Sequence, residues 1–332
     1  MLTLICGGSG SGKSVLAERL LAAAAPSGRR FYLATMRPDG REAGERIRRH
    51  RARRAGSGFI TLERYAGLAD LNFPEGAAAL LECLGNLAAN LMFPPSGGPA
   101  SAPGEIWRSL ERLRRGTREL IVVTNEIFSD GEDYSPETEN YRTVLAEANR
   151  RLGECGDRVV EMVCGLPLVH KGELPGEPLV SPRDFPSPGQ GGGMILVVGG
   201  RGAGKMAYVK SAYGYADSDI SAAEFDSRPV LADLQSLVRE KPVPPEALLP
   251  GLMKRKIIIC DEVGCGVVPL DPGERAWRDR VGRLCALLAA RADRVIRVCC
   301  GLPVFIKGGA FAEVNSPSAL EVDSGANGLR HS

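Results

Sequence analysis

The stretch MLTLICGGSGSGKS, residues 1–14, decides the fold of this chain. Its second part, GGSGSGKS, satisfies the pattern G-x-x-x-x-G-K-[ST], in which the backbone N–H groups of a glycine loop surround phosphate oxygens. The apolar run before the loop predicts a buried β-strand, and SVLAERLLAAAA after it predicts a helix whose dipole favours an anion. The predicted phosphate-binding residues are Gly7, Gly8, Ser9, Gly10, Ser11, Gly12, Lys13 and Ser14.

Two side chains of this loop predict the chemistry of the ligand. We expect the Lys13 ammonium to neutralise the β and γ phosphates of a nucleotide, and the Ser14 hydroxyl to ligate Mg²⁺. The overlapping G-x-G does not indicate a dinucleotide, because the Lys-Ser pair that follows is specific to the phosphate loop.

The composition is that of a soluble globular protein. The 332 residues are 44% hydrophobic and 25% charged, and the formal net charge is +2. This balance excludes a chain that binds polyanions over its whole surface, so any basic function must be local. The N-terminus does not resemble a signal peptide, and no apolar run approaches the ~20 residues that span a bilayer. We therefore expect a cytoplasmic protein with no membrane span.

The cysteines predict a reducing environment. The chain has nine of them, an odd number, and none forms a C-x-x-C pair. Most lie within apolar runs such as IIIC and RVCC, so we expect buried, reduced thiols rather than disulfides or a metal site.

An internal repeat organises the chain. VVEMVCGLPLVHKG (159–172) matches VIRVCCGLPVFIKG (295–308) without a gap, and the separation of 136 residues holds back to VVTNE (122–126) and IICDE (258–262). The glycine loops are 192 residues apart, so the first copy has 56 more residues between its loop and VVTNE. The predicted organisation is a P-loop domain at 1–172, a Pro/Gly-rich linker at 173–193, an abridged and degenerate second copy at 194–310, and a disordered tail at 311–332.

Short apolar runs alternate with amphipathic segments in each copy, which predicts an α/β fold. We expect the P-loop NTPase (RecA-like) class, with a mainly parallel sheet flanked by helices, in two tandem copies. The predicted strands of the first copy are 2–6, 31–35, 78–83, 120–125 and 158–163, and its predicted helices are 14–25, the arginine-rich segment and 137–154.

The second glycine loop, GGRGAGKM (199–206), is degraded. It keeps Lys205 as a candidate anion contact, but Met206 replaces the hydroxyl, and a thioether is a poor ligand for Mg²⁺. We expect this loop to bind nucleotide weakly or not at all.

His50 stands in the arginine-rich stretch GERIRRHRARR (44–54). On a helix, Arg46 and Arg54 lie one turn to either side of it. Nearby cations disfavour imidazolium, so a neutral ring nitrogen would be free to attack phosphorus, and the arginines would bind the phosphates. The alternative is an exposed basic helix face on which the histidine is incidental.

A set of further motifs accompanies these residues in the first copy. After the glycine loop come YLAT, RIRRH, TLE, LLECLGNLAANLMF, VTNE and GLP, at 32–35, 46–50, 61–63, 80–93, 123–126 and 165–167. In order and approximate spacing the set resembles the bifunctional adenosylcobinamide kinase/adenosylcobinamide-phosphate guanylyltransferases of cobalamin biosynthesis. The resemblance covers nearly all of residues 1–172.

The resemblance implies two reactions at one nucleotide site. ATP or GTP would phosphorylate adenosylcobinamide, and GTP would then transfer GMP to adenosylcobinamide phosphate through a guanylyl group on His50. It also implies that Glu82 supports Mg²⁺ and that Glu63 binds nucleotide together with Arg46 and Arg54. Glu126, in VTNE, is a further candidate for the site.

The first copy departs from the family after this motif. It reads NEIFSDG (125–131), whereas the second copy has the expected DEVGCGVVP (261–269). One hypothesis is an intramolecular pseudo-dimer, or a homo-oligomer, with a composite site to which the second copy supplies Glu262, Gly264 and Gly266. The alternative is that the second copy only covers an apolar face.

Two other functions remain open on the residues alone. One is a P-loop NTPase or kinase acting on a non-corrinoid substrate, with the arginine-rich helix holding phosphates or RNA. The other is a non-catalytic nucleotide-binding protein. The basic charge is confined to one helix without interleaved aromatic residues, so we expect no nucleic-acid partner.

Overall fold

The chain folds around two sheets, one in each half. The computed structural model describes residues 1–25, 29–38, 44, 47–48, 51–52, 56–93, 102–130, 132–175 and 193–308. Within this part of the chain, the first sheet has seven strands and the second has six.

The first sheet has the strand order β3-β2-β4-β5-β1-β6-β7, parallel except for the β6–β7 hairpin. Its strands are β1 (Leu2–Gly7), β2 (Arg30–Ala34), β3 (Phe59–Glu63), β4 (Ala78–Glu82), β5 (Glu119–Val123), β6 (Arg158–Val163) and β7 (Leu166–Lys171). The described helices of this half are α1 (Lys13–Ala24), α2 (Leu84–Met92), α3 (Ala102–Gly116) and α4 (Pro136–Cys155).

The second sheet repeats this order with one strand fewer, as β13-β12-β8-β11-β10-β9. Its strands are β8 (Ile195–Gly199), β9 (Ile220–Ala222), β10 (Val230–Ala232), β11 (Ile257–Asp261), β12 (Arg294–Cys299) and β13 (Leu302–Lys307). Its helices are α5 (Lys205–Tyr213), α6 (Leu234–Glu240), α7 (Pro245–Leu252) and α8 (Pro272–Arg291).

The repeat in the sequence appears as equivalent elements. Helices α4 and α8 have 20 residues each and begin in the same way. Ser135 and Asp271 cap them, accepting hydrogen bonds from the N–H groups of Thr138 and Glu274, and a proline follows each cap. A proline in the first turn has no N–H to leave unsatisfied, so this pair of residues fixes where each helix starts.

Apolar side chains fill both faces of each sheet. In the first half, Leu33, Leu81 and Val122 face the helices α2, α3 and α4, while Ile5 and Leu80 face α1. This layering follows from strands that are apolar at nearly every position, as parallel strands buried on both faces must be. It places the carboxyl ends of β1, β4 and β5 along one edge of the sheet, beside the glycine loop.

The α/β fold predicted from the sequence is confirmed in both copies, and the predicted strands and the predicted helices 14–25 and 137–154 of the first copy agree closely with the observed bounds. The helix predicted for the arginine-rich segment lies mostly outside the described residues. The sequence analysis did not predict strand β3, helices α2 and α3, or the antiparallel edge strands β7 and β13. Most of the predicted linker and the tail from residue 311 lie outside the described residues. None of the described helices is long and apolar enough to cross a membrane.

The prediction for the cysteines is only partly correct. All nine lie in the described residues and are free thiols. Four are buried, but Cys299 and Cys300 are exposed. These two end strand β12 and begin the turn to the edge strand β13, where an apolar sequence does not ensure burial.

The core of the second half can be tested with a pair of leucines. Leu284 on α8 is fully buried, whereas Leu270 is 96% exposed. Because Leu284→Ala leaves a cavity, we expect it to lower the free energy of unfolding by about 2–5 kcal/mol. Leu270→Ala should change it by less than about 0.5 kcal/mol. Urea denaturation measures both, and equal effects would contradict the assigned core.

Candidate active site

The first glycine loop has the geometry of an anion site. It connects β1 to α1, and Gly12 precedes the helix in a left-handed conformation with φ of 95°. Lys13 is only 8% exposed, and its ammonium donates to the carbonyl oxygens of Gly7 and Gly8 at 2.9 and 2.7 Å. Burial lowers the pKa of Lys13 from its ordinary value, and the nearby Glu82 carboxylate opposes that shift. The ammonium is thus held within the loop that would surround a phosphate.

Ser14 and Glu82 meet beside this loop. The Ser14 hydroxyl donates to Glu82 Oε1 at 2.7 Å. Glu82 ends strand β4, which is separated from β1 by β5, and the parallel strands bring its carboxylate to the edge where α1 begins. A hydroxyl and a carboxylate oxygen at this separation are donors that suit a hard divalent cation.

Glu126 follows strand β5 at the same edge. Its N–H donates to the Gly7 carbonyl at 3.0 Å, which ties it to the glycine loop. Its Oε1 accepts from the Phe128 N–H at 2.9 Å and from the Ser129 hydroxyl at 3.1 Å. The Glu126 carboxylate therefore stabilises the turn formed by NEIFS (125–129) and lies next to the first glycine loop.

The second copy contacts the first glycine loop through its backbone. The Ser9 N–H donates to the Gly264 carbonyl at 2.9 Å, and the Ser9 hydroxyl donates to Asp279 Oδ1 at 2.5 Å. Helix α8 passes so close that a Cβ on Gly282 would overlap the Ser9 carbonyl oxygen. The first glycine loop is thus held between the DEVGCGVVP segment and α8 of the other half.

Helix α8 also holds the segment that reaches the loop. Arg275 Nη1 donates to the carbonyls of Pro269 and Leu270 at 2.6 and 2.7 Å. Arg278 Nη1 donates to the Val267 carbonyl at 3.1 Å. These hydrogen bonds hold the end of the DEVGCGVVP segment against α8 and so position the segment next to Ser9.

The second glycine loop has its lysine neutralised. Lys205 donates to the carbonyls of Gly199 and Gly200, as Lys13 does in the first loop, but it also forms a 2.6 Å ion pair with Asp261. The 136-residue repeat places the uncharged Asn125 at the equivalent position in the first copy. The Asp261 carboxylate therefore lies beside Lys205, in a loop whose pattern is typical of phosphate binding.

The second copy also lacks both oxygen donors of the Ser14–Glu82 pair. Met206 replaces the serine, and the strand registers place Ala232 where the first copy has Glu82. A divalent cation would find no equivalent oxygen ligands at these two positions.

The packing pairs intact elements with each other. The intact first loop contacts Gly264 in the intact DEVGCGVVP segment. The degraded second loop lies beside the altered NEIFSDG segment, since a Cβ on Gly200 would be 3.9 Å from the Ser129 carbonyl oxygen. The two copies thus form one complete set of elements and one degraded set.

A cleft lies between the copies next to the first loop. Residues from both halves line it, including Ser9 and Ser11 from one and Glu262, Gly264 and Cys265 from the other. Burial raises the pKa of Glu262 above its ordinary value, although the Arg297 guanidinium opposes that shift. The remaining predicted residue of this segment, Gly266, packs against Asp130 of the first half.

The arginine-rich segment is described only in part. His50, Arg46 and Arg54 lie outside the described residues. Arg51 forms an ion pair with Glu63 at the end of the edge strand β3, and both side chains are exposed. Glu63 therefore lies at the carboxyl edge of the sheet, but on a strand well removed from β1 in the strand order.

Sequence reasoning did not assign Asp279 and Gly282 to the site. Both belong to the second copy, in the intact run that follows DEVGCGVVP. The signal that could have identified them is that this run is unaltered in the second copy, whereas the equivalent positions of the first copy have changed to Thr143 and Ala146.

Comparison with known proteins gives a family match over residues 3–170 and 244–306, described as cobinamide kinase / cobinamide phosphate guanyltransferase. The bifunctional adenosylcobalamin biosynthesis protein CobP of Pseudomonas aeruginosa is 38% identical over 180 residues, covering 52% of this chain and 99% of that protein. Proteins named CobU from Escherichia coli and Salmonella typhimurium are each 29% identical over 182 and 184 residues, covering 50% of this chain and 97% of theirs.

The approach of α8 to the glycine loop can be tested at Gly282. In Gly282→Ala the new methyl group would overlap backbone atoms of Ser9 and Gly10, so helix and loop must separate. We expect nucleoside triphosphate affinity to fall about tenfold or more, which is about 1.4 kcal/mol. Fluorescence titration with a labelled GTP analogue measures it.

The matched control for this change is Gly153→Ala in the equivalent helix α4, where a Cβ meets no atom of the described residues within 4 Å. It should leave affinity unchanged and stabilise the helix by up to about 1 kcal/mol. Unchanged binding in Gly282→Ala would show that the helix does not constrain the loop.

Proposed function

Since the chain belongs to the cobinamide kinase / cobinamide phosphate guanyltransferase family, we propose that it carries out both of these reactions at one composite site. ATP or GTP would phosphorylate adenosylcobinamide, and GTP would then donate GMP to adenosylcobinamide phosphate. The observation that carries the proposal is the meeting of the intact glycine loop with the intact DEVGCGVVP segment, through the Ser9–Gly264 hydrogen bond.

The first reaction is a phosphoryl transfer at the first glycine loop. A hydroxyl oxygen of adenosylcobinamide attacks the γ phosphorus, and the bond to the β–γ bridging oxygen breaks. The loop N–H groups and Lys13 bind the phosphates and stabilise the charge that develops on the leaving diphosphate. The buried ammonium suits this role, because few water molecules compete for its protons.

Mg²⁺ would be held by Ser14 and Glu82, whose oxygen atoms fit its preference, and when bound it neutralises phosphate charge. In the free protein the Ser14 hydroxyl donates to Glu82, so the two side chains keep each other oriented towards the start of α1. The second copy has Met206 and Ala232 instead, which supports a single metal-dependent site in the chain.

The second reaction proceeds through a covalent intermediate on His50. A neutral imidazole nitrogen attacks the α phosphorus of GTP, and pyrophosphate leaves. A phosphate oxygen of adenosylcobinamide phosphate then attacks the same phosphorus, and the bond to His50 breaks. Arg46 and Arg54 would bind the phosphates during both displacements. The Arg51–Glu63 ion pair joins this segment to the end of β3, at the same edge of the sheet as the loop but four strands away from β1.

The histidine intermediate can be tested by covalent labelling. Incubation with α-labelled GTP and Mg²⁺ should label the wild-type chain in denaturing electrophoresis, with a bond that is labile in acid and stable in base. His50→Ala should lose the label, because the attacking nitrogen is gone. The matched control is His331→Ala, which removes a histidine elsewhere in the chain and should label normally.

Absence of label in the wild type, with GTP binding intact, would contradict the transferase step. The remaining function would then be that of another P-loop kinase or of a non-catalytic nucleotide-binding protein. Phosphorylation of adenosylcobinamide from γ-labelled ATP distinguishes these two.

The single-site arrangement can be tested with the two loop lysines. By equilibrium dialysis the wild type should bind one equivalent of GTP per chain. Lys13→Ala should lose binding by about 100-fold or more, since a buried charge-assisted contact is removed. Lys205→Ala should still bind one equivalent, because Asp261 already neutralises that lysine. Two equivalents in the wild type, or loss of binding in Lys205→Ala, would contradict the assignment.

A further inference from the structure

The DEVGCGVVP segment ends in an exposed apolar ridge, residues 268–270. Leu270 is 96% exposed and Val268 is 52% exposed, with Pro269 between them. A single exposed leucine is ordinary on a protein surface, whereas adjacent exposed apolar residues beside a ligand site indicate a binding surface. The ridge therefore requires a ligand or partner that covers it.

The backbone under the ridge is held from both halves. Arg275 Nη1 on α8 donates to the carbonyls of Pro269 and Leu270 at 2.6 and 2.7 Å. The Tyr134 hydroxyl of the first half accepts a hydrogen bond from the Val267 N–H at 3.3 Å. Because the backbone is already fixed, little conformational entropy is lost when a ligand covers the apolar side chains.

The first copy is polar at the equivalent place. The offset of 136 residues, which also relates the helix caps Ser135 and Asp271, places Glu132 and Tyr134 at the positions of Val268 and Leu270. The apolar ridge thus belongs to the intact segment that meets the first glycine loop, and the altered segment beside the second loop has polar side chains instead. This difference links the ridge to the ligands of the first loop.

The ridge is set back from the glycine loop. Asp271, which follows the ridge and caps α8, is three helical turns from Gly282, which lies against Gly10, a distance of roughly 16 Å along the helix. A ligand on the ridge reaches the phosphates only through an extended arm. Adenosylcobinamide, the acceptor in the proposed function, has this form, since its reacting hydroxyl is at the end of a flexible side chain of a large macrocycle.

The size of the ridge also favours a small molecule over a protein. Two exposed side chains and a proline present far less than the ~800 Å² that each partner buries in a stable protein interface. They match one face of a ring system, from which apolar side chains exclude water.

We propose that the ridge binds the corrin macrocycle of the acceptor, so that the second copy supplies the acceptor surface for the nucleotide loop of the first. Val268 and Leu270 lie against one face of the ring, and the ring's side chain carries the hydroxyl towards the loop. The inference rests on the proposed function, because its ligand is the substrate of that function. It adds a surface for the acceptor, which the glycine loop does not provide.

The test is equilibrium dialysis of cobinamide, which absorbs visible light, against the full chain loaded with a non-hydrolysable ATP analogue. Leu270→Ser should raise the dissociation constant of cobinamide about tenfold, and V268S/L270S should raise it further, because apolar contact area is lost. In the phosphorylation assay the KM for adenosylcobinamide should rise by the same factors, with kcat unchanged, since the ridge does not touch the reacting atoms.

The matched control is Leu302→Ser, which makes the same change at a leucine of β13 that is 66% exposed. It should leave the dissociation constant and the KM unchanged. Leu270→Met, which keeps the apolar contact, should stay within about twofold of wild type. Binding of labelled GTP should be the same in every variant, because none of them changes the glycine loop.

The outcomes separate this inference from the function on which it rests. A wild-type chain that binds GTP but no cobinamide would contradict both. Cobinamide binding that is equally tight in wild type and V268S/L270S would overturn the ridge and leave the proposed function standing. A change of oligomeric state in Leu270→Ser, measured by size-exclusion chromatography, would also overturn the inference, because the ridge would then contact another chain.

Discussion

The close approach between the first glycine loop and the second half is the constraint on which the structure depends. A hydrogen bond joins the Ser9 amide to the Gly264 carbonyl, and Gly10 lies against Gly282 without an intervening side chain. The Gly10 and Gly282 backbones can approach this closely because neither residue has a Cβ. This contact brings α8 and the DEVGCGVVP segment of the second half against the first glycine loop.

The same contact explains why each copy is degraded where the other is intact. The contact joins the glycine loop of the first copy to the DEVGCGVVP segment of the second. One site keeps the intact loop and the intact segment, while Met206, Ala232 and the Lys205–Asp261 ion pair occur in the other. Substitutions among the elements around the second loop leave the elements around the first loop unchanged, provided that the shared fold persists.

The sequence predicts local features of this protein well, because motif and periodicity are local. The glycine loop and the parallel strands follow from the residues themselves, whereas the place of Glu82 beside Ser14 is what the family resemblance implies. The hydrogen bond from the Ser9 hydroxyl to Asp279 could not be predicted, since it joins residues 270 positions apart in the two halves. The exposure of Cys299 and Cys300 was missed because they lie at a turn to an edge strand. The site residues proposed in the arginine-rich segment remain predictions.

The presence of both halves on one chain has a consequence for how the site responds to dilution. A site built between separate subunits dissociates when the protein concentration falls below the dissociation constant of the pair. Tethering makes the association intramolecular, so it no longer depends on the protein concentration. The composite arrangement therefore persists even at a few molecules per cell, at which an untethered pair of the same affinity would separate.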